Sequence, residues 1–379
     1  MPRPYTTRDT ARLEHAAAEY RDMASAATPR YALRTAFDYA RFRIADYCAG
    51  FRPNPAARET EEKVRTWAQE FGLWIPDVTE HCNDLASYLY PEAPADRLAT
   101  IGKNFAIDWY INDTIGRERV AGLAPEGKRA AALTREHLLQ VSRTLQTGPD
   151  AAPVDHACLD MLQELRAGSN NAPQWYTHFL SVWTGHLRTM GHDGNASAGG
   201  TVPTAAEYLQ TRIDISGMPH TIALGEFATD TYLNWVALDR DALAARRLRW
   251  LCAAIGCLSN DLFSFEKEFI RHRSDSNLIP VLLLNHPHLT LDDAVVRAIT
   301  RVRKHTVEYI RCARSLTSRA NELPQPLCMP LQEFVRATES CVKATWTWQL
   351  LSQRYRFPGS IFEETRPGWT AATDLGSSG

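Results

Sequence analysis

The chain has no excess of either charge. Its 42 Lys and Arg stand against 44 Asp and Glu, a formal net charge of −2. Without a basic patch to gather phosphates along a backbone, the sequence argues against nucleic acid as a partner. Cys48, Cys82, Cys158, Cys252, Cys257, Cys312, Cys328 and Cys341 are scattered with no Cys-x-x-Cys pair. That spacing supports neither a zinc site nor a disulfide framework. The apolar runs Trp250–Leu258 and Ile279–Leu284 are far too short to cross a bilayer. The opening Met-Pro-Arg-Pro-Tyr-Thr-Thr-Arg-Asp lacks a hydrophobic signal region. A cytoplasmic, reduced protein without membrane insertion is the expectation. Gly-x-Gly-x-x-Gly, Walker and His-Glu-x-x-His motifs are all missing, although His186 and His192 flank a loop. The acidic pair Asp292-Asp293 follows Thr290 and reads as a capped helix start.

Two-residue alternation is missing too, and the apolar period is helical almost everywhere. The pattern predicts helices over Arg12–Met23, Arg30–Tyr47, Glu59–Phe71, Asn83–Leu89, Arg97–Thr114 and Lys128–Gln146. It continues over His156–Ala167, Gln174–Thr189, Ala205–Arg212, His220–Ala228, Asp241–Ile270, Leu291–Ser318 and Leu331–Arg354. Gly191–Pro203 is a loop by composition, and Ser216-Gly217-Met218-Pro219 breaks a helix. No repeat or linker divides the chain. With 379 residues and 44% hydrophobic content, one large all-α core is within reach.

The richest segment is Cys257-Leu-Ser-Asn-Asp-Leu-Phe-Ser-Phe-Glu-Lys-Glu-Phe269. Asn260, Ser264 and Glu268 recur every four residues, so on a helix each sits only about 40° past the last. All three carry oxygen donors, the ligand type hard Mg²⁺ prefers. Lys267, two turns after Asn260, adds a cation to that face. The competing reading is a polar stripe facing water. The almost wholly apolar Trp250–Leu258 upstream weighs against it, because such a helix belongs in a core. Polar groups at its end need partners there. A metal and a diphosphate would supply them.

This segment resembles the second metal motif of bacterial class I terpene synthases. Other marks of that family occur in order. Arg354-Tyr355 follows near the C-terminus, with Trp348 six residues before the Arg. Arg212 lies in Tyr208-Leu-Gln-Thr-Arg-Ile-Asp-Ile-Ser-Gly-Met-Pro219, similar to the family's diphosphate-sensing segment. Phe71-Gly-Leu-Trp74, Tyr90-Pro-Glu-Ala-Pro94 and Asn277-Leu-Ile-Pro-Val281 resemble flanking segments. One mark departs. Where the family carries an aspartate-rich run, this chain reads Asp108-Trp-Tyr-Ile-Asn112-Asp113-Thr-Ile-Gly-Arg-Glu118. Asp108 and Asn112 share a helix face, whereas Asp113 lies about 140° from Asp108 unless Gly116 breaks the helix. Asp113 is the expected principal ligand, with Asp108 and Asn112 behind it. The opposite assignment stays open, and Glu118 is a weaker candidate.

The resemblance implies a single-domain α-helical bundle around a central apolar cavity. Residues 30–357 would form the synthase α domain, 1–29 a partly helical N-terminal segment and 358–379 a disordered tail. It implies Mg²⁺, three ions with bound diphosphate, held by Asp113 on one wall and Asn260, Ser264 and Glu268 on the other. Arg212, Lys267, Arg354 and Tyr355 would bind diphosphate; Arg212, Arg354 and Tyr355 would act in catalysis. Phe105, Trp109, Trp183, Phe263 and Trp348 are expected cavity walls, where aromatic faces stabilise a carbocation. The substrate would be a linear prenyl diphosphate, geranylgeranyl first and farnesyl next, cyclised with release of diphosphate. A homodimer is also admitted. Two alternatives share the architecture: a chain-elongating prenyltransferase, which would want two Asp-Asp-x-x-Asp motifs, and a non-catalytic binding protein descended from a cyclase. The class II route lacks its Asp-x-Asp-Asp acid.

Overall fold

Capping and proline chemistry set most helix starts. The computed structural model describes residues 1–76, 78–116 and 119–370, apart from the side chains at 80–82 and 121. Glu118 and residues 371–379 lie outside the described residues. Thr6 and Asp9 form a capping box that opens α1 (Thr7–Ala24). After α2 (Ile44–Cys48) come α3 (Ala57–Glu70), α4 (Thr79–Leu89) and α5 (Ala95–Thr114). Proline stands in the first turn of α6 (Pro125–Thr144), α7 (Pro153–Gly168) and α8 (Pro173–Met190), where no N–H is needed. The short α9 (Ala196–Gly199) precedes α10 (Ala205–Ile215) and α11 (Met218–Ala228). The series closes with α12 (Asp241–Phe263), α13 (Leu278–Asn285), α14 (Leu291–Ala320) and α15 (Gln325–Leu351). Thr290 caps α14 as expected, accepting from the Asp293 N–H. Among the described residues the one sheet is a two-residue antiparallel pair, β1 (Arg3–Pro4) with β2 (Thr201–Val202), Arg3 opposite Val202.

The bundle is wound around α12. Every residue from Leu251 to Ser259 is buried, and α14, α15, α10, α11 and α13 pack against that helix. This is the all-apolar helix of the sequence, enclosed because it has no polar face to offer water. One continuous hydrophobic core runs from Ala16 on α1 to Phe362 beyond α15. No helix among the described residues is long and apolar enough to cross a membrane.

Three expectations need correction. Arg30–Tyr47 is not one helix: a 3₁₀ turn at Leu33–Ala36 and the short α2 flank a β-bridge between Tyr39 and Phe42. Ala40 there takes a positive φ of 45°, which a helix cannot accommodate. Asp241–Ile270 is not one regular helix either. It ends at Phe263, and Glu266–Arg271 continues as a π-helix. Finally, the expected tail is ordered through residue 370. Ile361 and Phe362 are fully buried, and the Glu364 carboxylate accepts from the Leu33 N–H at 2.7 Å. Its composition looked tail-like, but the apolar pair finds a docking groove that only the folded N-terminal segment creates.

Candidate active site

A cavity of about 200 Å³ opens between α4, α5, α8, the α10–α11 break, α12 and α15. Its lower half is apolar, with Leu89, Phe105, Trp109 and Trp348 in the wall. Its upper half is polar, with Asp108, Asn112, Arg212, Asn260, Ser264, Lys267, Glu268, Arg354 and Tyr355. The predicted oxygen-donor flank therefore faces a hollow rather than bulk water.

On α12, Asn260 is held on all sides. Its Oδ1 accepts from Arg212 Nη2 at 3.0 Å, and its Nδ2 donates to Gln349 Oε1 at 3.1 Å and to the Tyr355 hydroxyl at 2.9 Å. Ser264 closes the helix, its Oγ donating to the Asn260 carbonyl at 2.7 Å. Glu268 Oε2 accepts from Asn277 Nδ2 at 2.9 Å. The adjacent Lys267 and Glu268, both on the π-helix, line the cavity.

Asp261 is the hub behind this wall, and the sequence reading gave it no role. Its fully buried carboxylate accepts from Arg212 Nε at 2.8 Å, the Tyr208 hydroxyl at 2.6 Å and the Leu278 N–H at 3.0 Å. Burial pulls the Arg212 guanidinium's pKa down, but the Asp261 charge more than reverses this and raises it, so the cation is secure. A signal existed: a buried Arg requires a carboxylate, and Tyr208 stands four residues before Arg212 on the same face.

On α5 the helix runs unbroken through Asp113 and ends at Thr114. Gly116 is required there, because a Cβ would meet the Asn112 Cα at 2.7 Å. The break comes too late to turn Asp113 onto the face of Asp108. Asp108 and Asn112 line the cavity, whereas Asp113 lies outside its lining and stands 3.7 Å from Arg354 Nη2. Asp108 is taken by a residue that the sequence reading set aside: His186 Nε2 lies 2.6 Å from its Oδ1. Burial pushes the Asp108 carboxyl up, but the His186 charge and hydrogen bond outweigh it and hold it below its ordinary range. The His186 pKa rises correspondingly; burial opposes this and Asp108 prevails. Nothing in the spacing of Asp108 and His186 announced that pair.

Gly217 breaks α10 from α11 with φ of +73°, a conformation suited to glycine. A Cβ there would meet His220 Cε1 at 3.0 Å and Asp108 Oδ2 at 3.3 Å, so the break lies directly against Asp108. Of the expected walls, Phe105, Trp109 and Trp348 line the cavity. Trp109 and Trp348 meet edge to face at 5.9 Å, and the Arg354 guanidinium lies 5.1 Å from the Trp109 ring centre. Trp183 and Phe263 do not line it. Trp183 is buried one layer behind, against His220, and Phe263 packs on Trp346 and Tyr355. Both stand on the helices that form the walls, but on faces turned into the core.

The donor chemistry fits a hard divalent cation: an amide oxygen, a hydroxyl and a carboxylate on one flank beside a carboxylate-bearing helix. Comparison with known proteins agrees. A family model described as terpene synthase family 2, C-terminal metal binding, matches residues 108–308, which include both acidic segments. A spiroviolene synthase of Streptomyces violens is 30% identical over 263 residues, 66% of this chain and 69% of that protein. A germacradien-6-ol synthase of Streptomyces pratensis is 22% identical over 321 residues, 80% of this chain and 83% of that protein. Among solved structures, a linalool/nerolidol synthase of Streptomyces clavuligerus in complex with 2-fluorogeranyl diphosphate superposes with a TM-score of 0.68 at 20% identity. That match covers 84% of this chain and 100% of the other.

Proposed function

The chain belongs to the class I terpene synthases, and from that premise we propose that it ionises and cyclises a linear prenyl diphosphate with the residues gathered at the polar end of this cavity. The observation that carries the reading is the convergence of an oxygen-donor flank and four diphosphate donors over one aromatic-walled hollow. Asn260 would hold Mg²⁺ from α12, Ser264 and Glu268 from the turn that follows it, and Asp113, beside Arg354 and outside the lining, would reach it from α5. Asp108 already carries His186 as its counterion, while Asp113 stands beside a diphosphate donor. Bound Mg²⁺, taken as three ions, supplies the positive charge that makes diphosphate a competent leaving group.

The chain's own residues do the rest. Arg212 and Arg354 offer planar forks to phosphate oxygens, and Lys267 and the Tyr355 hydroxyl add donors. Arg212 is aimed in advance by Asp261, so little reorganisation is needed as charge develops. Phe105, Trp109 and Trp348 present ring faces to the allylic cation. Proton loss then yields a hydrocarbon; entry of water yields an alcohol.

The α5 lining runs from Asn112 to Phe105, two turns or about 10 Å. Gly256 and Thr345 lie one turn below Asn260 and Gln349. The sequence put geranylgeranyl diphosphate ahead of farnesyl diphosphate. We place farnesyl diphosphate first, because a wall of about 10 Å suits three isoprene units folded over Trp348.

Incubation with the C10, C15, C20 and C25 diphosphates and Mg²⁺, followed by product analysis, tests the proposal. A cyclic product with inorganic diphosphate, best from C15, is the expected result. A longer linear diphosphate would indicate a prenyltransferase. Absence of Mg²⁺-dependent diphosphate release would leave a binding protein.

A further inference from the structure

The residue before Lys267 points the other way. Glu266 is 1% exposed and faces the segment that follows α15, which meets it from outside the bundle. Glu266 Oε1 accepts from Ser360 Oγ at 2.7 Å and from the Ile361 N–H at 3.2 Å. The turn that Glu266 opens is the π-helix, closed by the His272 N–H on the Lys267 carbonyl at 3.1 Å. A π turn is rare because its backbone geometry is poor, and it persists where surroundings enforce it, frequently at functional sites. Lys267 and Glu268, both on this turn, line the cavity.

The segment gripping Glu266 is itself anchored. The Arg30 and Tyr31 N–H groups donate to the Ile361 carbonyl at 3.0 Å, and the Glu363 N–H donates to the Tyr31 carbonyl at 2.8 Å. Arg366 Nε donates to the Ser360 carbonyl at 2.8 Å. The same stretch of chain begins at Arg354-Tyr355, whose hydroxyl meets Asn260. One covalent strap thus fixes Asn260 through Tyr355 at its start and the Lys267–Glu268 turn through Ser360 further on.

Resting on the synthase reading above, we propose that Glu266 and Ser360 are positioning residues. Their hydrogen bond, made on the far side of the wall, holds the π turn in the register that presents Glu268 to metal and Lys267 to diphosphate. Neither touches substrate.

The test uses full-length Ser360→Ala, Glu266→Leu and Glu266→Gln, each followed in two ways. One is the Mg²⁺ dependence of diphosphate release. The other is the rise in melting temperature on adding Mg²⁺ with inorganic diphosphate, which needs no turnover. Ser360→Ala should raise the half-saturating Mg²⁺ about tenfold, the low end for residues supporting a metal site. Its kcat at saturating Mg²⁺ should be preserved, and its ligand-induced melting shift should shrink by more than follows from the lower unliganded melting temperature that loss of a buried hydroxyl brings. Glu266→Leu should do the same or more. Glu266→Gln, which keeps the Oε1 acceptor, should restore wild-type behaviour. Wild-type Mg²⁺ requirement and melting shift in both Ser360→Ala and Glu266→Leu would overturn the proposal. So would losses that merely track a lowered unliganded melting temperature. A wild-type protein that releases no diphosphate would instead sink the synthase reading, while the melting shift still judges this one.

Discussion

On the α12 wall of the cavity, Asn260 commits both amide functions to Arg212, Gln349 and Tyr355, and Glu268 leans on Asn277. On the facing α5 wall, Asn112 meets Asp113 at 3.5 Å, the limit of a hydrogen bond, and Asp113 stands 3.7 Å from Arg354. Asp108, the one tightly held group there, is held by a histidine rather than left to the cavity. The first wall is a preorganised donor array, and the second has room to re-aim. Preorganised groups need no reorientation as charge develops. The Asp113 carboxylate must still commit, and it lies one residue before the end of its helix.

The largest effect should come from breaking the fixed wall. Asn260→Ala removes a donor oxygen and frees Arg212 and Tyr355, so diphosphate release should fall about a thousandfold. Asp113→Ala should fall about a hundredfold, measured in the same assay. Near wild-type turnover in Asp113→Ala, with loss in Asp108→Ala, would reverse the assignment on α5.

Next in size is a stability effect behind the same wall. Asp261→Asn leaves Arg212 buried without its carboxylate, which should cost about 3–5 kcal/mol in denaturant unfolding. A change near zero would mean that Arg212 is not locked in place.

The smallest effect lies away from both walls and serves as their control. Glu226 on α11 is buried, its Oε2 accepting from the Leu233 N–H at 2.8 Å, and burial pushes its carboxyl up to about 7. Between about pH 4.5 and 7 the folded state keeps a proton that the unfolded state has lost, so stability must fall as pH rises through that window. Glu226→Gln should flatten this slope, gaining at most about 3 kcal/mol at pH 8, without altering the Mg²⁺ requirement. Melting curves across pH check the first point and diphosphate release the second.

Legibility divided along the same line. The α12 motif could be read because its residues are close in sequence and share one helix face, a period fixed by backbone geometry. Resemblance singled out Arg212 and Arg354-Tyr355, and all three line the cavity. The α5 motif was not legible: Asp108 and Asp113 are both acidic, and which faces the cavity depends on where the helix ends and what His186 does. Trp183 and Phe263 failed as wall residues for a related reason. Composition gives an aromatic residue no direction, and most aromatics of a bundle fill the core. The strap from 357 to 366 failed because a short Pro- and Gly-containing stretch shows its apolar pair only against a partner surface.

The sequence by itself determined an all-α chain, its central apolar helix, the oxygen-donor flank at the end of that helix and the family to which it belongs, since each is written in local spacing. Tertiary structure alone decided the Asp108–His186 pair, the Asp261 hub, the ordered strap and which residues line the cavity. Those depend on groups up to hundreds of residues apart meeting in one place, and burial turns each such meeting into an obligation to find a partner that no local pattern records.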